Sequence, residues 1–256
     1  IMFYSKYLNK EKNIQHCFFS RRNGNSKGIY ESLNCGPGSK DNKSDIKKNL
    51  EIVSKKFNVA IDNLVLMNQT HSNKVQIVED HSSQRVYSDA VLTKNTALAL
   101  CVLTADCAPI LIYEKQKEIV GAIHAGWKGA FNGIIENTTQ KIIELGGSLE
   151  KLVVTIGPCI SQESYEVKDD FLKLFLNKSK NNKLFFTKNH TNSFNFNLRG
   201  FLRSKFNEIG VKKVDNIELD TFSSKKEYFS HRRAKKLGEN DYGRCISVIR
   251  KINIQK

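Results

Sequence analysis

The sequence predicts an α+β protein of the mixed α/β kind. Strand-like and helix-like runs follow one another irregularly, without the regular strand–helix alternation of a doubly wound or barrel fold. The longest apolar stretches, around Ala97–Leu103 and Ile119–Ile123, have strand length. The chain has 256 residues, three prolines, no Pro/Gly/Ser linker and no fixed-period repeat, so one domain over residues 1–256 is expected.

The first 45 residues are rich in turn formers, as in RRNGNSKGIYESLNCGPGSKDN at 21–42. Ser44–Phe57 is predicted helical, with Ile46, Leu50, Val53 and Phe57 on one face and Ser44 as N-cap. Leu64–Met67 and Lys74–Glu79 read as strands around the polar loop NQTHSN, and Ala90–Thr93 and Leu98–Leu103 as further strands. Pro109–Glu114 and Glu118–His124 flank the polar turn KQK, which predicts a hairpin. After His124, glycines in AGWKGAFNGIIENTTQKIIEL punctuate a change from strand to helix. Leu152–Ile156 is a strand stopped by Gly157-Pro158. Asp169–Phe175 and Leu198–Ile209 are helical, Ile217–Asp220 is extended, and Ile246–Ile252 is a terminal strand.

Composition narrows the class. Hydrophobic residues make up 39% and charged residues 26%, ordinary for a soluble globular protein. No apolar run approaches the roughly 18–20 residues of a membrane span, so no membrane partner is expected. The opening IMFYSKYLNKEKN has no basic segment followed by a long apolar one, and no secretory signal is expected. Six cysteines, at 17, 35, 101, 107, 159 and 245, contain no CxxC, which predicts free thiols in a reducing cytoplasmic compartment. The net charge of +15 is spread along the chain, as in NKSKNNK at 177–183, without a helix-turn-helix, zinc-finger or RNP pattern. It reads as solvated surface whose field would gather a phosphate-bearing substrate, and nucleic acid is not an expected partner. A non-enzymatic basic nucleic-acid-binding module is the alternative outside the enzymes.

Three segments carry candidate chemistry: NQTHSNKV at 68–75, TADCAPI at 104–110 and GAIHAGWKGA at 121–130. Each sets one His or Cys, namely His71, Cys107 or His124, at a strand-to-loop transition among small or polar residues. If the hairpin turn centres on Lys115-Gln116, paired residue numbers sum to about 231 and Cys107 faces His124, with Cβ atoms ~4.5–5.5 Å apart. A thiolate and an imidazole at that separation can share one metal ion. Pro109 works against the ladder, and His71 must arrive on a separate loop. Three readings stand side by side: metal ligands with an open fourth position, a metal-free Cys107–His124 nucleophile pair, and buried structural residues. His16, His81 and His190 sit in polar stretches and are expected at the surface. His231, in FSHRR, draws less interest than the arginines beside it.

At these segments the chain resembles the YfiH-type family, also labelled polyphenol oxidase or laccase domain and purine nucleoside phosphorylase. Phe19-Ser20-Arg21, GIYESLNCG, NQTHSNKV, DAVLT, TADCAPILIY, GAIHAGWKG, IGPCISQESYEV, FSHRR and YGR follow in the family's order across nearly the whole chain. The resemblance implies a layered sandwich with mixed sheets inside and helices outside. It implies zinc held by His71, Cys107 and His124, with copper as an alternative ion. It also implies phosphorolysis of adenosine, inosine and S-methyl-5'-thioadenosine, and deamination of adenosine. Copper-dependent phenol oxidation and editing of cell-wall precursors are the family's other labels. The chain departs from the family at Arg22-Asn23, where Thr-Gly is common, at Asp220, where Cys is frequent, and in the loop LGENDYGR. These departures touch the phosphate-binding assignment and leave the ligand assignment intact.

Phosphorolysis needs an anion site. Arg21, Arg232, Arg233 and Arg244 are candidates because guanidinium matches phosphate in bidentate fashion, with Lys128 nearby. Trp127 and Tyr165 can stack on a purine, and Asn34, Gln69 and Asp106 can orient ligands or substrate. A small-molecule substrate acted on by a monomer or weak dimer is expected.

Overall fold

The computed structural model describes residues 2–80, 86–190 and 192–253. In chain order the elements are β1 (Met2–Phe3), β2 (Ile14–Phe19), α1 (Lys43–Phe57), β3 (Leu64–Leu66), β4 (Val75–Ile77), β5 (Ala90–Thr93), β6 (Ala99–Thr104), β7 (Ala108–Glu114), β8 (Ile119–Ala125), α2 (Trp127–Phe131) and α3 (Ile134–Glu144). They continue with β9 (Leu152–Ile156), β10 (Glu166–Lys168), α4 (Asp169–Lys178), β11 (Phe186–His190), β12 (Ser193–Phe196), α5 (Leu198–Glu208), β13 (Lys213–Asn216), α6 (His231–Lys236) and β14 (Cys245–Lys251).

The strands form a five-stranded sheet, β1-β2-β14-β6-β3, a six-stranded sheet, β13-β9-β7-β8-β5-β4, and a three-stranded sheet, β10-β12-β11. Strand alternation sorts the core into layers. Phe18, Leu100, Val102 and Ile249 of the first sheet pack against Val91, Leu111, Val120 and Val153 of the second. On the outer face of the five-stranded sheet, Cys17, Cys101 and Val248 meet the α1 stripe Ile46, Leu50, Val53 and Phe57. On the outer face of the six-stranded sheet, Ile110, Ile123 and Val154 meet Ile134, Ile142, Phe201 and Phe206 of α3 and α5. The mixed α/β fold with sheets inside and helices outside is therefore present. Among the described residues no helix is long and apolar enough to cross a membrane.

Several boundaries move. The N-cap of α1 is Asn42, not Ser44, because the Asn42 side chain accepts from the Ser44 N–H at 2.8 Å. The extended segment expected at Ile217–Asp220 is instead β13 at Lys213–Asn216, an edge strand whose polar residues hide its period. The strands β10, β11 and β12 carry little apolar alternation; Thr187–His190 is exposed throughout, so the pattern does not reveal it.

The β7–β8 hairpin exists, but its register differs by two residues. Glu114 pairs with Ile119 and Pro109 with His124, so Cys107 lies one step beyond the last paired residues, Ala108 and Ala125. The turn is longer than KQK alone. The Glu114 carboxylate accepts the N–H groups of Gln116 (3.0 Å) and Lys117 (2.7 Å), and Glu118 adopts φ 54° to close the loop.

Phe175 of α4 is fully buried and meets Phe171, Phe131, Phe196 and Phe201 at ring-centroid distances of 4.9 to 5.2 Å. Truncating it removes the centre of this cluster. We expect Phe175→Ala to lower the unfolding free energy by about 3–5 kcal/mol in urea titration. Leu184→Ala, at a site 83% exposed, should stay within about 0.5 kcal/mol.

Candidate metal centre between two cavities

Three loops converge at one end of the six-stranded sheet. The 68–73 loop between β3 and β4 presents His71, the turn before β7 presents Cys107, and the end of β8 presents His124. Asp89, fully buried at the start of β5, gathers two of them. Its Oδ1 accepts from the His71 N–H at 3.0 Å and from His124 Nδ1 at 2.7 Å. Its Oδ2 accepts from the Thr70 N–H (3.2 Å), the Ser72 N–H (2.7 Å) and the Ser72 hydroxyl (2.6 Å). His71 itself adopts φ 60°, a left-handed conformation that these bonds hold in place.

The candidate ligand atoms of His71, Cys107 and His124 all lie within 4.8 Å of one another. His71 Nε2 is 3.7 Å from Cys107 Sγ, and the two imidazoles meet edge-on at 4.8 Å and 75°. Because Nδ1 of His124 donates to Asp89, its Nε2 is the free acceptor. The tetrahedral edge between a thiolate and an imidazole on one zinc ion is about 3.5 Å, so the donor set and spacing fit such an ion. Gly126 makes room for the group: a Cβ there would stand 2.8 Å from His71 Cδ2 and 2.9 Å from Cys107 Sγ.

The electrostatics follow from these contacts. Burial alone would raise the Asp89 pKa, but hydrogen bonds from His124 and Ser72 hold it down at about 2. Burial also opposes a Cys107 thiolate, yet His124 and His71 outweigh it and lower the thiol to about 7. His124 is pushed up, with Cys107 and Asp89 overcoming its burial.

Cys107 and His71 line two cavities at once. The larger, about 530 Å³, also touches Asn68, Gln69, Tyr242 and Arg244. The smaller, about 330 Å³, also touches Trp127, Lys128, Tyr165, His231 and Arg232. Of the residues expected to bind substrate, Gln69 and Arg244 therefore line the larger cavity and Asp106, Lys128 and Arg232 the smaller, beside the His–Cys–His group.

Arg21 and Arg233 line a third cavity, of about 240 Å³, and their guanidinium groups are spent on backbone carbonyls. Arg21 donates to Ile29 and Lys225 (both 3.3 Å), and Arg233 to Thr221 (2.8 Å) and Phe222 (2.7 Å). Asn34 is buried and donates to Ser39 (2.9 Å) and Asp41 (2.9 Å) while accepting from the Arg244 N–H (2.9 Å). Gln69 mimics a strand partner, exchanging both amide bonds with the Leu103 backbone at 2.7 and 2.9 Å. Asp106, at φ 87°, accepts from Thr221 (2.7 Å), Ser230 (2.9 Å) and the Arg232 N–H (2.6 Å), tying the Cys107 turn to α6.

Asp89 carries only a faint signal in the sequence. Its signal is a carboxylate directly before the apolar strand 90–93, a position too buried for an idle charge. His231, beside the arginines of FSHRR, lines the smaller cavity. His16, expected at the surface, is buried on β2, where Nε2 accepts from the Ser5 N–H at 2.8 Å and burial lowers its pKa to about 4. His190 is exposed as expected, and His81 lies outside the described residues. The departure at Asp220 has a local role: its carboxylate accepts from the Ser161 N–H (3.0 Å) and the Ser164 hydroxyl (2.7 Å).

The family described as multi-copper polyphenol oxidoreductase laccase matches residues 15–251. A purine nucleoside phosphorylase of Rickettsia prowazekii is 36% identical over 224 residues, covering 87% of this chain and 90% of its own. One from Haemophilus influenzae is 31% identical over 243 residues, covering 94% and 96%. Among solved structures, a Neisseria meningitidis protein superposes with a TM-score of 0.87 at 26% identity, covering 98% and 99% of the two chains. YfiH from Bacillus licheniformis superposes with a TM-score of 0.87 at 24% identity, covering 94% of this chain and 93% of its own; at that identity the likeness speaks to the fold alone.

All six cysteines are free, and Cys107 alone is not buried. Burial raises the others, Cys17 to about 12 and Cys245 to about 11. After chelator treatment, iodoacetamide should label Cys107 well before any other thiol, as read by peptide mass spectrometry. Thiolate is the nucleophile, so the labelling rate should fall as pH drops through about 7. His124→Gln should move that inflection upward. An inflection at the ordinary thiol value in the wild type would contradict the described geometry.

Proposed function

Because this chain belongs to the multi-copper polyphenol oxidoreductase laccase family, and its relatives carry the name purine nucleoside phosphorylase, we propose that it is a zinc-dependent purine nucleoside phosphorylase. In this proposal residues 1–256 act as one catalytic domain, and adenosine, inosine and S-methyl-5'-thioadenosine are substrates. The observation that carries the proposal is a two-nitrogen, one-sulfur donor group of which His71 and Cys107 line both cavities and His124 the larger. A two-substrate reaction needs room on both sides of its reacting carbon.

His71, Cys107 and His124 would hold the ion, leaving a fourth position for substrate, as catalytic zinc sites do. A bound zinc ion would supply Lewis acidity toward the substrate. Asp89 keeps His124 in the tautomer that offers Nε2, and through the His71 N–H it fixes the second imidazole. Copper suits the same donors, but the one His–Cys–His group among the described residues would hold a single ion. Zinc, with no redox chemistry of its own, fits group transfer better. Deamination of adenosine is proposed as a second activity of the same centre.

Pure protein given inosine and phosphate should release hypoxanthine and ribose 1-phosphate, and adenosine should also yield ammonia. Cys107→Ala should lower phosphorolysis by at least about a hundredfold, since even loss of a group behind a ligand costs about 10–100-fold. No phosphate-dependent base release by the wild type would end the proposal.

Elemental analysis should give about one zinc per chain. Asp89→Asn should weaken zinc binding about 10–100-fold in a chelator competition. Full zinc occupancy in both Cys107→Ala and His124→Ala would refute the ligand assignment.

A further inference from the structure

The two cavities share the wall formed by His71 and Cys107 but differ in charge. In the smaller one, neither Lys128 nor Arg232 has an ion-pair partner among the described residues. Lys128 Nζ sits 5.6 Å from the Trp127 ring, and Arg232 lies 5.2 Å over the Tyr165 ring while donating to the Glu166 carbonyl at 2.7 Å. Asp106 is the acidic side chain lining this cavity, and both of its oxygens are turned toward Thr221, Ser230 and the Arg232 N–H. Two cations against one satisfied carboxylate leave a net positive charge. In the larger cavity Arg244 is paired with Asp241 at 3.2 Å and stacked on Tyr242 at 4.2 Å, so its charge is already balanced.

We propose that the smaller cavity is the phosphate subsite, with Lys128 and Arg232 as the groups that hold the anion, and that the larger cavity takes the nucleoside. This assignment rests on the phosphorolysis reading and adds to it where each reactant sits. The ribose then lies over His71 and Cys107, with base and phosphate on opposite sides. A phosphate oxygen bonds to C1' as the C1'–N9 bond breaks, and the bonding pair leaves with the purine. Attack from the face opposite the purine inverts C1', and the proton of hydrogen phosphate ends on the purine, which balances the reaction.

The cavities also have separate rims. Pro37 and Gly38 border the larger and are exposed; Thr70 and Lys128 border the smaller and are exposed. Each reactant thus has its own exposed approach.

The test uses the full-length, zinc-loaded protein and calorimetric titration with inorganic phosphate alone, then with inosine alone. Lys128→Gln and Arg232→Gln should each weaken phosphate about ten- to a hundredfold, the range of a charge-assisted hydrogen bond. Both should leave inosine affinity within twofold. Arg244→Gln should do the reverse. Lys128 is exposed, so its variant keeps the fold and the test decisive even if Arg232→Gln does not.

A wild type that does not bind phosphate overturns the assignment, as does loss of inosine rather than phosphate binding in Lys128→Gln. Phosphorolysis with unchanged phosphate affinity and unchanged KM for phosphate in both variants overturns it while the activity stands. Selective loss of phosphate binding in a protein that does not phosphorolyse inosine supports the subsite while the activity fails.

Discussion

Asp89 is a carboxylate with no exposed surface, and a bare charge in such a place costs several kcal/mol. It is tolerated because five donors from two chain segments converge on its two oxygens. Four come from Thr70, His71 and Ser72, which the carboxylate folds into a tight loop with His71 in a left-handed conformation. The fifth comes from His124, across the β5–β8 pairing. The Asp89 carbonyl also accepts from the His124 N–H at 2.7 Å, so that residue is gripped at backbone and ring together. Without this carboxylate, the 68–73 loop would lose the four hydrogen bonds that fix Thr70, His71 and Ser72.

The rest of the site is an outgrowth of sheet geometry. Pro109 and His124 are paired, as are Ala108 and Ala125, so Cys107 and Gly126 come next, where the ladder ends and the strands diverge. Gly126 leaves no side chain between the sulfur and the His71 ring. Asp106 then fastens the Cys107 turn to Thr221, Ser230 and Arg232, more than a hundred residues away in sequence. One carboxylate thus orients the imidazoles and the next fastens the thiol to the cations beside it.

Much of this was legible in the sequence, and the failures have physical causes. The amphipathic helix Lys43–Phe57 and the apolar strands β5 to β9 announce themselves because each buries a face against a layer. The edge strands β11 and β13 do not, since an exposed strand has no apolar period to show. Pattern also located the hairpin but not its register, because turn length depends on Glu118 adopting a positive φ and on the capping bonds of Glu114. In the site, His71, Cys107 and His124 stood out by residue type and setting. Asp89 and the spent states of Arg21, Arg233 and Asn34 did not, because hydrogen-bond partners distant in sequence decide whether a polar group is available.

The place of β14 in the five-stranded sheet has a consequence for how the chain is made. Residues 245–251 insert between β2 and β6, pairing antiparallel with both, so the strand that emerges late from the ribosome occupies the middle of a sheet whose other members emerge early. Until it arrives, β2 has only the two-residue β1 beside it, and β6 offers an unpaired edge. The donors to Asp106, from residues 221 to 232, come nearly as late. The first half of the protein therefore waits with an open apolar sheet, a state in which long-range pairing is slow and exposed edges invite aggregation. Loss of β14 would split the five-stranded sheet into the separate pairs β1-β2 and β6-β3.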